Sequence, residues 1–469
     1  MTTHFTRHRL ILLLLIAIAA FVALLPGPSR AEDLQTAINR TSAAGGGVVS
    51  LAPRQRVVVA QGIIVEPGVT LDLNGGELVA RLTDSNAAGV RLLSRATLRN
   101  GTVTVQSLGQ PGAQAGAHAG ILVGALYGEN ASPTRLSRFE SPTGWAIRNV
   151  TVQTDKLVSA DGLMLGGAAI QVMGGASGGV IEGVTVPDSN RMAGGILLDW
   201  STVGAISSSD VTGSAVTFRA GRGYTTHPHD ITIRDITIGR LTRPSRAEYG
   251  SFGVRLSGTY DISVSDVAIA AVTEAGFRYT AGDLGFEFAR SADRARAHMG
   301  ISVNGLRVAS AGAYLVRTDS FADNVARAAE AGYRPALAPI APTDMTIANV
   351  TGGAGGGAGP GYGLRVDHQR GGTFADIAAT GFRRGFYIDE QVYGVRLVRP
   401  RAADSGEAGI SVEHPYRPPS EVVIENPNVS GRSAAARTII VGTSQAVTVS
   451  NPGAAVMRVA REARGAIVR

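Results

Sequence analysis

The chain has 469 residues, no cysteine and a formal net charge of +7. The lack of cysteine excludes disulfide bonds, and the lack of a basic run interleaved with aromatic residues argues against nucleic-acid binding. Lys156 is the only lysine, so the positive charge rests on arginine. Guanidinium groups suit carboxylate, sulfate and phosphate groups, which indicates an anionic polymer as the partner. Genomic base composition is a second explanation for the same excess of arginine.

The first 31 residues have the pattern of a signal peptide. Arg7 and Arg9 precede an apolar run from Leu10 to Leu25, and Ser29-Arg30-Ala31 offers a small-x-small cleavage site. We predict cleavage after Ala31 and export of residues 32–469 to the bacterial periplasm or out of the cell, with no membrane contact afterwards. An uncleaved membrane anchor is the alternative, although the apolar run is slightly short for a membrane span.

A short helix and a strand are predicted next. Asp33 suits an N-cap, and Leu34 and Ile38 share one face of a helix that extends to Arg40. The run from Gly45 to Leu51 is then typical of a first strand.

One short pattern recurs through the rest of the chain: Gly or Ala, then alternating apolar and variable residues. Such alternation indicates short strands whose side chains point to opposite faces. The copies begin at Gly195, Ala215, Gly253, Gly276, Ala313, Gly363, Gly385 and Gly409. Several copies are followed by a strand with a polar turn at its centre, as in Ile231 to Ile238, Ile262 to Ile269 and Ile301 to Val308.

The polar turn residues recur with a period near 26 residues. The intervals are 26 from Asn74 to Asn100, 25 from Asp210 to Asp235, 27 from Asn349 to Asp376, 27 from Arg399 to Asn426, and 25 from Asn426 to Asn451. Short strands at this period, with 61 glycines and hydrophobic residues spread evenly at 44%, predict a solenoid that forms one elongated domain. Longer gaps, from Asp266 to Gly305 and from Gly305 to Asn349, then contain inserted loops.

This pattern resembles the right-handed parallel β-helix proteins, the pectate-lyase-like superfamily, from Asp33 to about Val449. The resemblance implies an all-β, single-stranded, right-handed parallel β-helix solenoid with a short N-terminal capping helix and loop insertions. The predicted insertions run from Gly221 to Asp230, from Ala281 to Met299, from Thr318 to Thr343 (with a helix from Asp323 to Glu330), and from Gly352 to Gly361. Most are expected beside the recurring strand, where loops on a rigid scaffold often carry function.

The outward residues of the recurring strands should stack in two columns. We expect the first to contain Leu197, Thr217, Arg255, Arg278, Leu315, Arg365, Tyr387 and Ser411, and the second Asp199, Arg219, Ser257, Thr280, Arg317, Asp367, Asp389 and Glu413. Arginine, carboxylate, histidine and tyrosine side chains are unusually concentrated there, although any soluble face needs polar residues. We predict substrate-binding roles for Asp199, Arg219, Arg278, Arg317, Arg365, Asp367, His368, Tyr387 and Asp389.

The stretch from Tyr224 to Asp230 resembles the motif of alginate (mannuronan) C5-epimerases, in which a tyrosine precedes Asp-Pro-His and an acid. The resemblance implies that Tyr224 is an acid or base, that His229 is the catalytic histidine and that Asp230 is the closing acid. His227 replaces the aspartate of that family, and the motif follows the predicted strand that begins at Ala215 instead of lying on it.

Epimerisation and β-elimination both remove the proton beside a uronate carboxylate. They need a base, an acid and a group that neutralises the carboxylate. We therefore predict Tyr224, His227, His229 and Arg255 as catalytic residues, with Arg219 and Arg278 assisting Arg255. A single His-Pro-His is weak evidence for a metal site, so no metal ligands are predicted. The predicted function is an exported lyase or C5-epimerase for an acidic, uronate-containing polysaccharide, acting as a monomer.

Two alternatives remain open. Asp367 and Asp389, with His368, Glu390 and Glu413 nearby, offer the paired carboxylates of a glycoside hydrolase, although polygalacturonase-type motifs are absent. These carboxylates would also suit Ca²⁺ as a cofactor, at a distance of several coils from the arginine cluster. The third class is a non-catalytic polysaccharide-binding β-helix.

Overall fold

A computed structural model of the protein describes residues 31–82, 88–107, 119–125, 139, 141–154, 168–190, 192–203, 207–212, 215–219, 224–242, 250–281, 300–320, 344–355 and 361–469. Residues 1–30 of the predicted signal peptide lie outside these ranges. So do the predicted helix from Asp323 to Glu330 and most of the insertions from Ala281 to Met299 and from Thr318 to Thr343. No helix in the described ranges is long and apolar enough to span a membrane.

One helix and 35 strands form the described fold. The helix is α1 (Ala31–Ala43), and the first strands are β1 (Gly47–Ser50), β2 (Arg56–Val59), β3 (Ile63–Val65), β4 (Val69–Leu82), β5 (Ala88–Leu92), β6 (Thr97–Ser107), β7 (Ala119–Val123), β8 (Ala146–Thr154), β9 (Ala168–Met173), β10 (Val180–Glu182), β11 (Thr185–Val186), β12 (Gly194–Asp199), β13 (Ser201–Val203), β14 (Ser207–Thr212), β15 (Ala215–Arg219), β16 (Tyr224–Thr226) and β17 (His229–Leu241). The remaining strands are β18 (Phe252–Ser257), β19 (Tyr260–Val272), β20 (Ala275–Ala281), β21 (Ile301–Ala311), β22 (Tyr314–Ser320), β23 (Met345–Ala354), β24 (Tyr362–Val366), β25 (Thr373–Thr380), β26 (Arg384–Ile388), β27 (Arg396–Val398), β28 (Arg401–Ala403), β29 (Ala408–Val412), β30 (Val423–Glu425), β31 (Asn428–Ser430), β32 (Thr438–Val441), β33 (Thr448–Ser450), β34 (Val456–Val459) and β35 (Ile467–Val468).

Two parallel sheets account for almost all of these strands. The smaller sheet has 13 strands, in the order β3-β5-β7-β9-β12-β18-β20-β22-β24-β26-β29-β32-β34, and contains nearly all the recurring strands. The larger sheet has 18 strands. Each coil contributes to both sheets and stacks in register on the next, so the predicted right-handed parallel β-helix is confirmed.

The larger sheet bends at a column of turn residues. Its members adopt left-handed backbone conformations: Asn74, Asn100, Asn149, Asp235, Asp266, Asn349, Asp376, Arg399, Asn426 and Asn451. Asn and Asp tolerate this conformation better than other residues with a side chain, which explains their recurrence at the coil period. Asp210 was wrongly placed in this series. Gly183 holds the corner that precedes Asp235, since Glu182 pairs with Arg234 and Thr185 with Thr237.

The predicted strand Ala215–Arg219 exists but was wrongly assigned to the solenoid. It pairs antiparallel with β14, and β16 pairs antiparallel with β13, so these strands lie outside both parallel sheets. The sequence does contain a signal for this hairpin, because only two residues, Gly213-Ser214, separate the two strands. The expected loop from Gly221 to Asp230 likewise contains β16 and the start of β17, and Gly352 to Ala354 belong to β23.

The core is one continuous apolar cluster that runs along the coil axis from Leu34 to Val449. Inward residues of neighbouring strands, such as Val254 and Phe277, pack on each other with no exposed surface. Leu34 and Ile38 of α1 are also fully buried and join this cluster. The helix therefore covers the N-terminal end of the stack, as predicted.

The glycine of the recurring strand is explained by a close approach between the two sheets. A Cβ atom at Gly253 would lie 2.2 Å from Ile269 Cδ1 and 2.6 Å from the carbonyl oxygen of Gly276. At Gly276 it would lie 2.6 Å from Val308 Cγ2. Only a residue without a side chain fits these positions without displacing a neighbour.

We expect Gly253→Ala to lower the free energy of unfolding by about 1–3 kcal/mol, because the methyl group overpacks this junction. Urea denaturation followed by circular dichroism would measure the loss. Gly406→Ala is the control, since the atoms nearest to a Cβ there are 3.7 Å away. An equal loss in both variants would contradict the packing explanation.

Candidate functional site on the smaller sheet

Four arginines occupy one outward column on four consecutive strands. Arg255 pairs in register with Arg278, Arg278 with Arg317, and Arg317 with Arg365. Leu197 precedes Arg255 and Tyr387 follows Arg365. Adjacent parallel strands lie ~4.8 Å apart, so these side chains form a continuous row along the coil axis. We call this row the arginine column.

Arg317 was wrongly expected in the second column, with Leu315 in the first. The register places Arg317 beside Arg278 and Asp319 beside Thr280, two residues later than predicted. The error arose because Leu315 lies in register with Gly276, so a large residue stands where the recurring pattern has glycine. The carbonyl oxygen of Leu315 faces Gly276. Thr217 and Arg219 are absent from both columns because β15 belongs to the antiparallel hairpin.

Carboxylates already neutralise the centre of the arginine column. Arg278 donates to Glu274 Oε1 at 2.7 Å and to Asp319 Oδ2 at 3.0 Å, and Arg317 Nε lies 2.8 Å from the same Asp319 oxygen. Three of these four charged residues, Glu274, Arg278 and Asp319, are nearly buried. Burial opposes the charge of Asp319, but Arg278 and Arg317 outweigh it and hold the pKa of the carboxyl below its usual value.

Arg365 neutralises both predicted acidic residues at the other end of the column. It donates to Asp389 Oδ2 at 2.7 Å and to Asp367 Oδ2 at 3.0 Å. Burial opposes its charge, yet the two carboxylates raise the pKa of Arg365 above its usual value. These carboxylates do lie several coils from Arg255 and Arg278, as expected, but Arg317 and Arg365 continue the column between them.

Arg255 differs from the other three arginines. Within the described part of the chain it forms no ion pair, and its Nε is buried without a hydrogen-bond partner. Burial and the charge of Arg278 lower the pKa of Arg255. Arg278 Nε and Asp319 Oδ1 are also buried without hydrogen-bond partners among the described residues. Buried polar atoms of this kind usually have a ligand or an ordered water as partner.

A row of tyrosines runs beside the column and was missed in the sequence. Tyr314 stacks on Tyr362 with ring centroids 6.0 Å apart, and Tyr362 stacks on Tyr387 at 5.2 Å. Arg317 and Arg384 lie over the outer rings, 4.9 Å and 4.6 Å from the centroids of Tyr314 and Tyr387. The repeated spacing Tyr-x-x-Arg, in Tyr314 to Arg317 and Tyr362 to Arg365, was a signal that could have identified this row.

Tyr387 also contacts the acidic end of the column. Burial raises the pKa of the Tyr387 phenol, and the charge of Asp389 and a hydrogen bond to it raise that pKa further. The phenol therefore keeps its proton at neutral pH and donates to Asp389. A phenol in this state is a poor base.

His368 lies between two carboxylates at the edge of the column. Its Nδ1 contacts Asp367 Oδ1, and its Nε2 lies 3.1 Å from Glu390 Oε1. On the next coil, His414 Nε2 lies 3.4 Å from Glu390 Oε2. Five predicted residues therefore lie together: Arg365, Asp367, His368, Tyr387 and Asp389. We call these five residues and Glu390 the acidic cluster.

The residues of the epimerase-like motif are not gathered with the arginine column. His227 is 1% exposed and donates from Nδ1 to the carbonyl oxygen of Gly258 at 2.7 Å. His229 begins β17 in the larger sheet, stacks on Tyr260 with centroids 4.7 Å apart, and donates from Nδ1 to Asp230 at 2.7 Å. Tyr224 and Arg219 lie on β16 and β15, and their side chains lie outside the described structure.

Asp199 is placed beside Arg255, as predicted from the second column. It is the last residue of β12 and pairs in register with Ser257 of β18. Its Oδ1 accepts a hydrogen bond from the Trp200 amide at 3.0 Å. The charge of Asp199 partly opposes the fall in the pKa of Arg255.

No family model matches the chain, and no curated protein matches it in sequence. Among solved structures, the chain is similar to the tailspike protein of E. coli bacteriophage HK620 in complex with pentasaccharide, with 12% identity over 95% of this chain and 76% of that chain and a TM-score of 0.46. A single-residue variant of that tailspike with pentasaccharide gives a TM-score of 0.48 with the same identity and coverage. Another variant with hexasaccharide gives 0.46, with 12% identity over 95% of this chain and 75% of that chain.

Proposed function

We propose that the protein binds an acidic polysaccharide along the outward face of the smaller sheet and hydrolyses it beside Arg365. The observation that carries this proposal is the row of stacked tyrosines next to a carboxylate pair, Asp367 and Asp389, that shares one arginine. We also propose that the protein is exported, on the strength of its first 31 residues.

The dimensions of the site suit a polymer. The column extends from Arg255 to Tyr387 over four strand-to-strand steps, or ~19 Å. That distance accommodates several sugar units and exceeds the length of a single monosaccharide. A chain lying parallel to the coil axis would therefore contact several coils at once.

The tyrosine rings supply the apolar part of such a site. The half-buried rings of Tyr362 and Tyr387 combine an apolar face with a polar hydroxyl, so they suit the C–H face and the hydroxyl groups of a sugar. Stacking between the rings fixes their orientation before any sugar arrives, which reduces the entropic cost of binding.

Arg255 supplies the preference for an acidic sugar. It is the member of the column that lacks an ion pair in the described ranges, and its neighbours leave further buried polar atoms without partners. A substrate carboxylate at this position would neutralise the guanidinium and accept its hydrogen bonds. Arg278, Arg317 and Arg365 are poorly suited to that role because carboxylates of the protein already bind them.

The carboxylate pair supplies the chemistry. Contacts of 3.0 Å and 2.7 Å to one Arg365 nitrogen hold the two Oδ2 atoms no more than ~6 Å apart, which excludes the wider separation of about 6.5–9.5 Å found in inverting glycosidases. Asp389 is the carboxylate that we expect to contact the sugar, since Asp367 has Arg365 on one oxygen and His368 on the other. Arg365 and the Tyr387 phenol both donate hydrogen bonds to Asp389, which orients this carboxylate to attack the anomeric carbon. The Tyr387 phenol, beside Asp389, would give its proton to the leaving glycosidic oxygen, and water would then release the sugar from Asp389 and return a proton to Tyr387.

Lyase or C5-epimerase chemistry is the second candidate, because Arg255 would also neutralise the carboxylate of a uronate from which a proton is removed. This candidate is less well supported, because each residue considered as its base is poorly placed or poorly suited. His227 is buried, His229 belongs to the other sheet, and the raised pKa of Tyr387 opposes its action as a base.

The test offers the purified full chain a panel of uronate polymers and follows three products. We expect new reducing ends without unsaturated uronate groups. Absorbance from unsaturated ends would instead indicate a lyase, and solvent deuterium at C5 without cleavage would indicate an epimerase. Polymer binding without any product would indicate a non-catalytic binding protein. Each of these three results would overturn the proposal of hydrolysis.

A further inference from the structure

Asp367, His368 and Glu390 place three possible metal ligands close together. One nitrogen or oxygen atom from each residue lies within 4.8 Å of the others. His368 is 3% exposed and Asp367 is 6% exposed. Ligand atoms at these separations, away from bulk solvent, can converge on one cation after small side-chain movements.

The backbone holds these residues in place. β24 and β26 pair up to Val366 and Ile388, and the amide of His368 donates to the carbonyl oxygen of Glu390 at 2.9 Å. His368 adopts a left-handed conformation with φ of 48°, which is uncommon for a residue with a side chain. The site therefore rests on two neighbouring coils of the rigid solenoid.

The charge balance of the acidic cluster also favours a cation. Asp367, Asp389 and Glu390 bring three carboxylates together, whereas Arg365 is the one arginine that binds within the cluster among the described residues. Arg417 approaches Glu390 only to 3.9 Å and its side chain is 43% exposed. Buried carboxylates in excess of their cationic partners are costly unless a proton or a metal ion compensates them.

We propose that Asp367, His368 and Glu390 bind a divalent first-row transition-metal ion, with Zn²⁺ preferred to Mn²⁺. The imidazole nitrogen excludes a typical Ca²⁺ site, because Ca²⁺ takes oxygen ligands, whereas one nitrogen and two carboxylate oxygens suit Zn²⁺ or Mn²⁺. Asp367 keeps Oδ2 on Arg365 and offers Oδ1 to the ion, which would replace the Nδ1 proton of His368 in the contact between these two residues. Glu390 would turn Oε1 from His368 Nε2 to the ion. No metal ligands were predicted from the sequence, and Ca²⁺ for these carboxylates was raised only as an alternative, so the histidine ligand and the transition-metal ion go beyond that prediction.

His414 is excluded as a fourth ligand by its hydrogen bonds. Its Nδ1 accepts from the amides of Arg417 at 2.9 Å and Tyr416 at 3.4 Å, so the proton of the neutral ring is on Nε2. That Nε2–H faces Glu390 Oε2 at 3.4 Å. His414 therefore orients Glu390 as an outer partner without contacting the ion itself.

The test measures metal binding without any polysaccharide, so its outcome is independent of the proposed function. The full chain is freed of metals with a chelator and titrated with Zn²⁺, Mn²⁺ and Ca²⁺ by calorimetry. We expect one Zn²⁺ per chain, weaker Mn²⁺ binding and little Ca²⁺ binding. Zn²⁺ should also raise the thermal unfolding midpoint, and its affinity should fall at acidic pH because protons compete with the ion for the ligand atoms.

Variants locate the ion. We expect His368→Gln and Glu390→Gln each to lower Zn²⁺ affinity by about 100-fold or more, and His414→Gln by about 10-fold, as for an outer partner. Glu425→Gln is the matched control, because Glu425 forms an ion pair with Arg396 on the larger sheet, away from the cluster. Co²⁺ loaded into the wild-type protein should give a visible absorption band that Glu390→Gln lacks.

Three results would overturn the proposal. The first is no stoichiometric Zn²⁺ binding by the wild-type protein, a result that depends on no variant. The second is Ca²⁺ binding as tight as that of Zn²⁺. The third is unchanged Zn²⁺ affinity in a folded Glu390→Gln or His368→Gln variant, which would place the ion elsewhere.

Discussion

Asp319→Asn is expected to lower the free energy of unfolding by about 3 kcal/mol or more. Asp319 is 4% exposed, and its Oδ2 binds both Arg278 and Arg317. An amide cannot balance two guanidinium charges, so the variant leaves positive charge buried beside Arg255. Glu274 still binds Arg278 in the variant, which places the expected loss at the lower end of the range for broken buried ion pairs. Urea denaturation followed by circular dichroism would measure it.

The matched control is Asp376→Asn. Asp376 forms an ion pair with Arg399 on the exposed surface, and asparagine tolerates the left-handed conformation of this corner position. An exposed pair contributes little to stability, so the control should unfold close to the wild-type protein. Equal losses in the two variants would contradict the assignment of a structural role to the buried pair.

The ion pairs of Asp319 with Arg278 and Arg317 predict that the wild-type protein and Asp319→Asn differ in how their stability changes at low pH. The folded pKa of Asp319 lies below the ordinary value of 3.8, so its contribution to stability is present above that value and is lost as pH falls through the lower folded value. Below about pH 4, stability should therefore fall more steeply with acid in the wild-type protein than in Asp319→Asn. Parallel acid curves for the two proteins would contradict this expectation.

Asp389→Asn is expected to lower kcat on the responsive polymer by about 10²–10⁴-fold. The substitution keeps the shape of the side chain but removes the carboxylate oxygen that would attack the sugar and that Arg365 binds. KM should change little, because the tyrosines and Arg255 contact the polymer over several other coils. Steady-state measurement of reducing ends gives both constants.

Asp376→Asn again serves as the control and should retain wild-type turnover, since it lies on the larger sheet. Tyr362→Ala should have the opposite signature, a raised KM with a smaller effect on kcat, because it removes a contact that does not depend on the reaction step. A loss smaller than about 10-fold in Asp389→Asn would move the chemistry away from the acidic cluster.

The coil period could be read from the sequence because one physical constraint repeats in every turn. Asn or Asp tolerates the left-handed corner, and glycine fits the close approach of the sheets at positions such as Gly253. These constraints act on single positions of each coil, so the same residue types recur in the sequence at the period of the coil. The capping role of Leu34 and Ile38 was predictable for a similar reason, since an open end of the stack needs apolar cover.

The pairing of strands and charges was harder to predict. Alternation identifies Ala215–Arg219 as a strand but does not say whether its partner is parallel or antiparallel. At Leu315 a large residue occupies the usual glycine position, and the resulting two-residue shift hid Asp319 as the partner of Arg278 and Arg317. The sequence therefore suggested a row of free arginines, whereas three of the four are neutralised by the protein itself.

The most direct test of the proposed function is a crystal structure of Asp389→Asn with an oligosaccharide of the polymer that the wild-type protein cleaves. We predict sugar rings stacked on Tyr362 and Tyr387, a sugar carboxylate at Arg255, and a glycosidic bond next to position 389. An oligosaccharide on the larger sheet, or beside His229, would contradict the assignment of the outward face of the smaller sheet as the site.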